Sequence, residues 1–170
     1  MDVKLYVANL AKYNEGTLVG KWLTLPKSPE ELEERLQHVL GENEEYAIHD
    51  YEAPFHISEY DNVFEINEIA AVLARYDSKI VIALSECLDN LQEVVRLLER
   101  GDYSAYFNVD NLCDVAEEMV DAGYFGPIPP SISCYIDYEK IARDLKMDGW
   151  YMHHELRVAV DCQHLTRQIS

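Results

Sequence analysis

Carboxylates are concentrated in one part of the chain. The stretch "EELEERLQHVLGENEEYAIHDYE", from Glu30 to Glu52, contains nine Asp or Glu residues and one formal cation, Arg35. Clustered carboxylates can ligate a metal ion in an enzyme, or they can pair with the basic side chains of another macromolecule. The distribution of charge over the rest of the sequence favours the second kind of chemistry.

The formal net charge is −18 over 170 residues, although the hydrophobic fraction of 48% is that of an ordinary globular protein. Residues 28–68 carry −12 and residues 102–148 carry −7, while 1–27 carry +2, 69–101 carry −1 and 149–170 carry zero. Such a field repels nucleic acid and anionic membranes and attracts basic surfaces. We therefore expect a basic protein partner, and neither nucleic acid nor a membrane as a ligand.

Acidic residues also follow one face of a helix predicted over Asp110–Ala122, opposite an apolar face. Like charges four residues apart destabilise a helix by about 0.2–0.5 kcal/mol per pair. The protein tolerates this loss of helix stability, which suggests that the acidic face has a function. Carboxylates on a helix usually belong to a face that is merely solvated. The predicted helix over 91–100 has such an ordinary face, on which Glu and Arg alternate, whereas the face of the 110–122 helix is acidic only. We expect these carboxylates to bind a partner: Glu30, Glu31, Glu33, Glu34, Glu42, Glu44, Glu45, Asp50, Glu52, Glu59, Asp61, Glu65, Glu68, Asp110, Asp114, Glu117, Glu118 and Asp121.

The spacing of these charges is compatible with imitation of a nucleic acid. Carboxylates three or four residues apart on a helix lie about 5–6 Å from each other. Duplex DNA carries one negative charge per about 1.7 Å of axis, so a net charge of −18 corresponds to about 31 Å of duplex. We hypothesise that the protein presents the electrostatic outline of a DNA segment.

Signatures of catalysis are weak. The chain has no glycine-rich nucleotide loop, no H-E-x-x-H and no G-x-S-x-G. The segments "HDYE" at 49–52 and "HHE" at 153–155 are candidate metal ligands, but alternation along a strand places adjacent side chains on opposite faces. "DLK" at 144–146 matches a short nuclease pattern that occurs often by chance. We expect no catalytic residues, no metal and no cofactor.

Cysteine usage and hydropathy indicate the compartment. Cys87, Cys113, Cys134 and Cys162 are far apart and form no C-x-x-C motif, so we expect buried free thiols, without a disulfide framework or a zinc site. The sequence shows no signal peptide and no apolar run long enough for a membrane span. We expect a cytoplasmic protein.

The elements that position the carboxylates indicate an α+β fold. Residues 3–25 are typical of a β-hairpin, Ser28 to Gly41 of a capped helix with Glu31 completing a capping box, and "EYAIHDY" of a third strand. Residues 1–60 then form a β-β-α-β unit and 61–102 a helical middle domain. Residues 103–170 form an α+β domain with a strand in "YSAYFNV", the acidic helix, a helical piece within 131–146 and a final strand or hairpin.

Three segments resemble a known family. "YVANLAKYNEGTLVGKWLTLP" at 6–26, "EEYAIHDYEAPF" at 44–55 and "YIDYEKIARDL" at 135–145 are similar to the ArdA antirestriction proteins of conjugative plasmids and transposons. The resemblance implies an elongated protein of three small domains that forms a homodimer through its C-terminal part. It further implies that the acidic surface imitates bent B-form DNA.

The implied function is inhibition of type I restriction-modification enzymes. The dimer would occupy the DNA-binding groove formed by the specificity and methyltransferase subunits, and would block cleavage, and modification as well, of foreign DNA. The alternative is an acidic interaction module that sequesters another basic DNA-binding protein. Either function needs the same exposed carboxylates.

Overall fold

A computed structural model describes residues 1–162 as a mixed α+β protein with two three-stranded sheets, as predicted for the fold class. Contacts between residues divide the chain into two compact units, Met1–Ser78 and Lys79–Ser170. The division into three small domains, 1–60, 61–102 and 103–170, stays a prediction. Residues 163–170 of the third predicted domain lie outside the described part.

The first unit contains an antiparallel sheet with strand order β2-β1-β3 and three helices. Its elements are β1 (Val3–Asn9), α1 (Leu10–Asn14), β2 (Gly20–Leu25), α2 (Pro29–Leu40), β3 (Tyr46–Glu52) and α3 (Val63–Leu73). The predicted hairpin is confirmed, because β1 and β2 pair antiparallel. The connection contains the short helix α1 in addition to a turn, since the Asn9 side chain accepts a hydrogen bond from the Lys12 amide and caps it.

One face of this sheet forms the core of the first unit. Alternate residues of β1, Val3, Leu5 and Val7, are buried beneath α2, whose residues Leu32 and Leu36 pack against them. Val63, Ile66 and Ala70 of α3 join the same cluster. The opposite face of the sheet, called the uncovered face, is open around Trp22 of β2, which is 45% exposed, although Ala8 and Ala47 at one end of this face are fully buried.

The predicted ends of α2 are confirmed. The Ser28 hydroxyl accepts the Glu31 amide at 3.2 Å, Pro29 occupies the first turn, and Gly41 ends the helix at φ +58°. The reciprocal half of the predicted capping box is replaced by an ion pair, because the Glu31 carboxylate lies 3.0 Å from the Lys27 ammonium.

A buried asparagine ties the end of α2 to β1. Asn9 is 2% exposed, and its Nδ2 donates to the carbonyls of Val39 at 3.2 Å and Leu40 at 3.0 Å. Carbonyls in the last turn of a helix have no partner within the helix. One side chain therefore satisfies the end of α2 and the start of α1 together.

The second unit contains a sheet with strand order β4-β6-β5. Its elements are α4 (Ser78–Cys87), α5 (Leu91–Arg100), β4 (Ser104–Phe107), α6 (Leu112–Asp121), α7 (Pro130–Ser133), α8 (Tyr138–Met147), β5 (Trp150–His153) and β6 (Val158–Asp161). The predicted helical stretch, the strand in "YSAYFNV" and the final hairpin are confirmed. Val115, Ala116 and Met119 of α6 pack against Trp150 and Ala159 of the sheet.

The predicted start of the acidic helix is wrong. Helix α6 begins at Leu112 because Asn111 is its N-cap and accepts the Asp114 amide at 3.1 Å. Asp110 lies before the cap. Its carboxylate accepts a hydrogen bond from Arg157 Nε at 2.6 Å, and its backbone amide donates to Asp114 Oδ2 at 2.7 Å. Asp110 is therefore not part of the helix face that carries Asp114.

The expectation of four free thiols is also wrong. Cys87 at the end of α4 and Cys162 after β6 form a disulfide across 75 residues of sequence. Cys113 and Cys134 are free, and Cys134 is exposed rather than buried. Sequence spacing gave no sign of this pairing because the two partners meet only in the folded second unit.

Replacing Asn9 tests how firmly the first unit holds its helix ends. We expect Asn9→Ala to lower the free energy of unfolding by about 1–3 kcal/mol, because it leaves buried carbonyls without a donor. Urea unfolding followed by circular dichroism measures this change. Asn14→Ala, at an exposed position of α1, is the matched control, and equal loss in both variants would contradict the role of Asn9.

A carboxylate of α4 holds two side chains of β5. The Tyr151 hydroxyl donates to Glu86 Oε2 at 2.6 Å, and His153 Nε2 lies 3.3 Å from Glu86 Oε1. The hydrogen bond to Glu86, followed by burial and the Glu86 charge, raises the pKa of Tyr151 to about 12. The folded state therefore favours the protonated phenol.

The raised pKa of Tyr151 predicts an alkaline loss of stability. A group whose pKa is higher in the folded state contributes stability below its unfolded pKa of about 10, and loses it as the pH rises through its folded value. We expect the free energy of unfolding to fall between pH about 10 and about 12 more in the natural protein than in Tyr151→Phe. Parallel curves for the two proteins from urea unfolding at each pH would refute this.

Candidate partner-binding surface

Residues 28–68 and 102–148 are the first and second acidic blocks. The carboxylates of the first block lie on the solvent side of the first unit. Every predicted binding residue from Glu30 to Glu68 is exposed except Glu31, which is half-buried. They are distributed over α2 (Glu30, Glu33, Glu34), the loop before β3 (Glu42, Glu44, Glu45), β3 (Asp50, Glu52), the loop after β3 (Glu59, Asp61) and α3 (Glu65, Glu68).

Few of these charges are neutralised by cations of the first unit. Glu31 pairs with Lys27 at 3.0 Å and Arg35 at 3.8 Å, and Glu52 pairs with Lys4 at 2.7 Å. Glu59 lies 3.9 Å from the His49 ring. The other carboxylates of this block form no ion pair with any of the residues 1–162, so most of the −12 remains available to a partner.

Helix α2 separates its apolar and acidic faces. Leu32, Leu36 and Val39 are buried, while Glu30, Glu33 and Glu34 are exposed. Glu30 and Glu34 are four residues apart, which sets their Cβ atoms about 5–6 Å from each other. Burial of the apolar face fixes the direction in which the carboxylates point.

The acidic loop after α2 is held by backbone contacts. The Leu10 amide donates to the Glu45 carbonyl at 3.0 Å, and the Asn43 amide donates to the Leu40 carbonyl at 2.9 Å. The Asn43 side chain also donates to Asn9 Oδ1 at 3.4 Å. Glu42, Glu44 and Glu45 therefore project from a loop whose backbone is anchored on both sides.

Asp61 lies outside α3, although its spacing to Glu65 and Glu68 is typical of one helix face. Asp61 precedes the N-cap Asn62, and its Oδ2 accepts the Ser58 amide at 2.8 Å. Glu65 and Glu68 are on α3 and exposed, as predicted. The acidic surface here consists of a turn followed by a helix face.

A β-bulge determines where Asp50 points. Val7 is opposite Ile48 and Tyr6 is opposite Asp50, so His49 is an extra residue in β3. In a regular ladder Asp50 would be opposite Leu5, on the buried face. The bulge instead places Asp50 on the uncovered face of the sheet, beside Tyr6.

In the second unit two helices contribute carboxylates. Glu117, Glu118 and Asp121 of α6 are exposed and Asp114 is half-buried. Sequence reasoning missed Asp137, which caps α8, and Glu139 in its first turn, although both stand in the segment "YIDYEKIARDL". An acidic residue before a helix and another in its first turn were the signal that could have found them.

The pKa of the Cys113 thiol responds to the negative charges of both helices. Burial raises the pKa of Cys113, and the charges of Glu139, Asp114, Glu117 and Asp137 raise it further. The thiol lines an open cavity of about 570 Å³ whose other lining residues include Arg143. A raised pKa keeps the thiol protonated, which is the opposite of an activated nucleophile.

The histidines weighed as metal ligands have other partners. The His49 ring packs edge-on against Tyr13 with centroids 4.6 Å apart, and His153 faces Glu86. His154 Nδ1 lies 3.2 Å from the Asp110 carbonyl. Within residues 1–162, no three His, Cys, Asp or Glu side chains converge as a metal site would require.

The remaining chemical motifs are also dispersed. Asp144 and Lys146 lie two residues apart on α8 and line different cavities, so "DLK" places no lysine beside its carboxylate. The tyrosines of the acidic block differ in role. The Tyr46 hydroxyl accepts the Val63 amide at 3.1 Å, and Tyr51 contacts His56, whereas Tyr60 is 72% exposed.

The reactivity of Cys113 can measure the acidic field of the second unit. In a Cys134→Ser background, we expect alkylation by iodoacetamide to reach half its maximal rate at a higher pH than an ordinary thiol. Glu117→Gln with Glu139→Gln should lower that midpoint, because two nearby negative charges are removed. Glu93→Gln on α5 is the control, and an unchanged midpoint in the double variant would contradict a shared field.

Comparison with known proteins identifies the chain. No described helix is both long and apolar enough to cross a membrane. A search of curated proteins gives no match. A family model described as "Antirestriction protein (ArdA)" matches residues 5–156, which include both acidic blocks. That family consists of inhibitors of restriction rather than enzymes. The chain therefore belongs to the ArdA family of antirestriction proteins.

Proposed function

We propose that the protein inhibits type I restriction-modification enzymes by presenting carboxylates where those enzymes bind DNA phosphates. The observation that carries the proposal is the set of exposed carboxylates in the first unit that lack ion pairs within residues 1–162. A surface that serves only solubility can mix Lys and Arg with its carboxylates, so it has no need for carboxylates without ion pairs. Membership of the antirestriction family supplies the class of target.

Binding would proceed by charge complementarity. Lys and Arg side chains of the specificity and methyltransferase subunits would form charge-assisted hydrogen bonds with the carboxylates of α2, of the acidic loop and of α3. Long-range attraction would accelerate association and would weaken as salt is added. Because the inhibitor and DNA would compete for one groove, cleavage and modification would both be blocked without any catalytic step.

The second unit would offer further carboxylates to the same partner. Glu117, Glu118 and Asp121 on α6 offer carboxylates at helical spacing, in the same manner as α2. We further propose that two copies associate through their C-terminal parts in the cytoplasm of a cell that receives a conjugative element. A homodimer would double the number of charges and lengthen the surface.

Inhibition of a purified type I enzyme tests the proposal directly. We expect the natural protein to stop cleavage of unmodified target DNA, and the inhibition constant to rise with salt. The variant Glu30→Gln, Glu33→Gln, Glu34→Gln should inhibit about tenfold to a hundredfold more weakly, since it removes three charge pairs worth about 0.5–1 kcal/mol each. The loop variant Glu42→Gln, Glu44→Gln, Glu45→Gln should behave similarly.

A matched triple variant separates specific carboxylates from total charge. Asp89→Asn, Glu93→Gln, Glu99→Gln removes the same number of charges around α5, where Arg96 and Arg100 accompany the acids, and should inhibit almost normally. Equal loss in all three variants would show that only net charge matters. An unchanged cleavage rate at excess natural protein would reject the type I target and favour sequestration of another basic DNA-binding protein.

A further inference from the structure

The uncovered face of the first sheet carries a row of three side chains with different chemistry. Tyr6 of β1 is opposite Trp22 of β2 on one side and Asp50 of β3 on the other. Directly opposite residues of antiparallel strands project their side chains to the same face. The order across the sheet is therefore indole, phenol, carboxylate.

The two aromatic rings are in contact, and the indole of the pair is accessible. Tyr6 and Trp22 pack edge to face with centroids 5.6 Å apart, and Trp22 is 45% exposed. The Tyr6 ring lies over Gly20, where an added Cβ would meet the ring at 2.8 Å. The absence of a side chain at Gly20 thus lets the Tyr6 ring lie down on the sheet beside the indole.

Asp50 supplies the charge at the end of the row. It is exposed, and its Oδ1 accepts the amide of Tyr51 at 2.8 Å, which orients the carboxylate. Asp50 forms no ion pair within residues 1–162, whereas Glu52 in the next row is paired with Lys4 at 2.7 Å. The carboxylate beside the aromatic rings is therefore the one left for an external cation.

We propose that the row of Trp22, Tyr6 and Asp50 binds an arginine side chain of the protein partner. A planar guanidinium can stack on an aromatic ring and still direct its N–H groups at a carboxylate, which the compact ammonium of lysine cannot do. The Tyr6 ring leans over Gly20 of β2, whereas Asp50 is on β3, about 4.8 Å from β1 on the other side. A guanidinium stacked on the part of the ring nearest β1 would therefore extend its N–H groups across β1 towards Asp50.

This site deepens the proposed function and rests on it for the identity of the partner. A carboxylate that only replaces a phosphate needs no aromatic neighbour, so the row adds a preference for arginine that DNA itself does not impose. Asp50 with Lys4 and Glu52 makes the face too charged for an apolar partner. A nucleobase on the rings would bring its phosphates towards a field of −18.

Tripeptides test the site without the enzyme. The protein has two tryptophans, Trp22, which is 45% exposed, and Trp150, which is 9% exposed, so the Trp150 indole serves as an internal reference in a nuclear magnetic resonance titration. We expect acetyl-Gly-Arg-Gly-amide to shift the indole N–H of Trp22 and not that of Trp150. The lysine tripeptide should shift it at least about twofold to fivefold more weakly.

Substitutions separate the contributions of charge and ring. Asp50→Asn should weaken the arginine titration severalfold, and Tyr6→Leu should reduce the preference for arginine over lysine. Asp89→Asn, which removes an exposed charge of the second unit, is the matched control and should leave the titration unchanged. Equal responses to the arginine and lysine tripeptides, or no response of Trp22 to either, would overturn the site.

An enzyme assay distinguishes failure of this site from failure of the proposed function. Trp22→Leu should inhibit a type I enzyme severalfold more weakly, while Trp22→Phe, which keeps a ring, should inhibit nearly as well as the natural protein. If both variants inhibit normally, the arginine site is refuted and the proposed function stands. If the natural protein does not inhibit but Trp22 responds to the arginine tripeptide, the proposed function fails and the site stands.

Discussion

Repulsion between like charges is the main constraint on this structure, and the apolar core must offset it. Carboxylates that are not paired with cations destabilise the compact state, and residues 28–68 carry a net charge of −12. The first unit offsets this repulsion with a continuous apolar core in which Leu5, Leu32 and Val63, from β1, α2 and α3, are fully buried. Each helix or strand of this unit that contributes carboxylates also contributes side chains to that core, so packing fixes the direction of these charges.

Local signals were sufficient to predict the elements that obey short-range rules. Ser28, Pro29 and Gly41 bound α2 as their capping preferences indicate, and the apolar spacing of Leu32, Leu36 and Val39 identifies its buried face. Because the acidic face is the complement of the apolar face, the exposure of Glu30, Glu33 and Glu34 follows from the same pattern. The family resemblance of 6–26, 44–55 and 135–145 lies within the 5–156 match.

What the sequence did not reveal depends on competition and on distant contacts. Asn111 takes the N-cap position of α6, so Asp110 lies before the helix, where it binds Arg157 instead of extending the acidic helix face. The disulfide between Cys87 and Cys162 joins residues separated by 75 positions. The bulge at His49 is equally invisible in a pattern of alternating residues, although it decides which face Asp50 occupies.

The bulge shows how one extra residue can change the chemistry of a whole face. With a regular register, the carboxylate of Asp50 would be directed towards the core beside Leu5, where an unpaired charge is strongly disfavoured. With His49 accommodated, the sheet instead presents an indole, a phenol and a carboxylate in one line. Charge alone acts at long range and distinguishes little between lysine and arginine, whereas stacking acts only at contact and requires a planar cation. A surface that combines the two would attract many basic proteins but would hold longest those whose arginines fit the row.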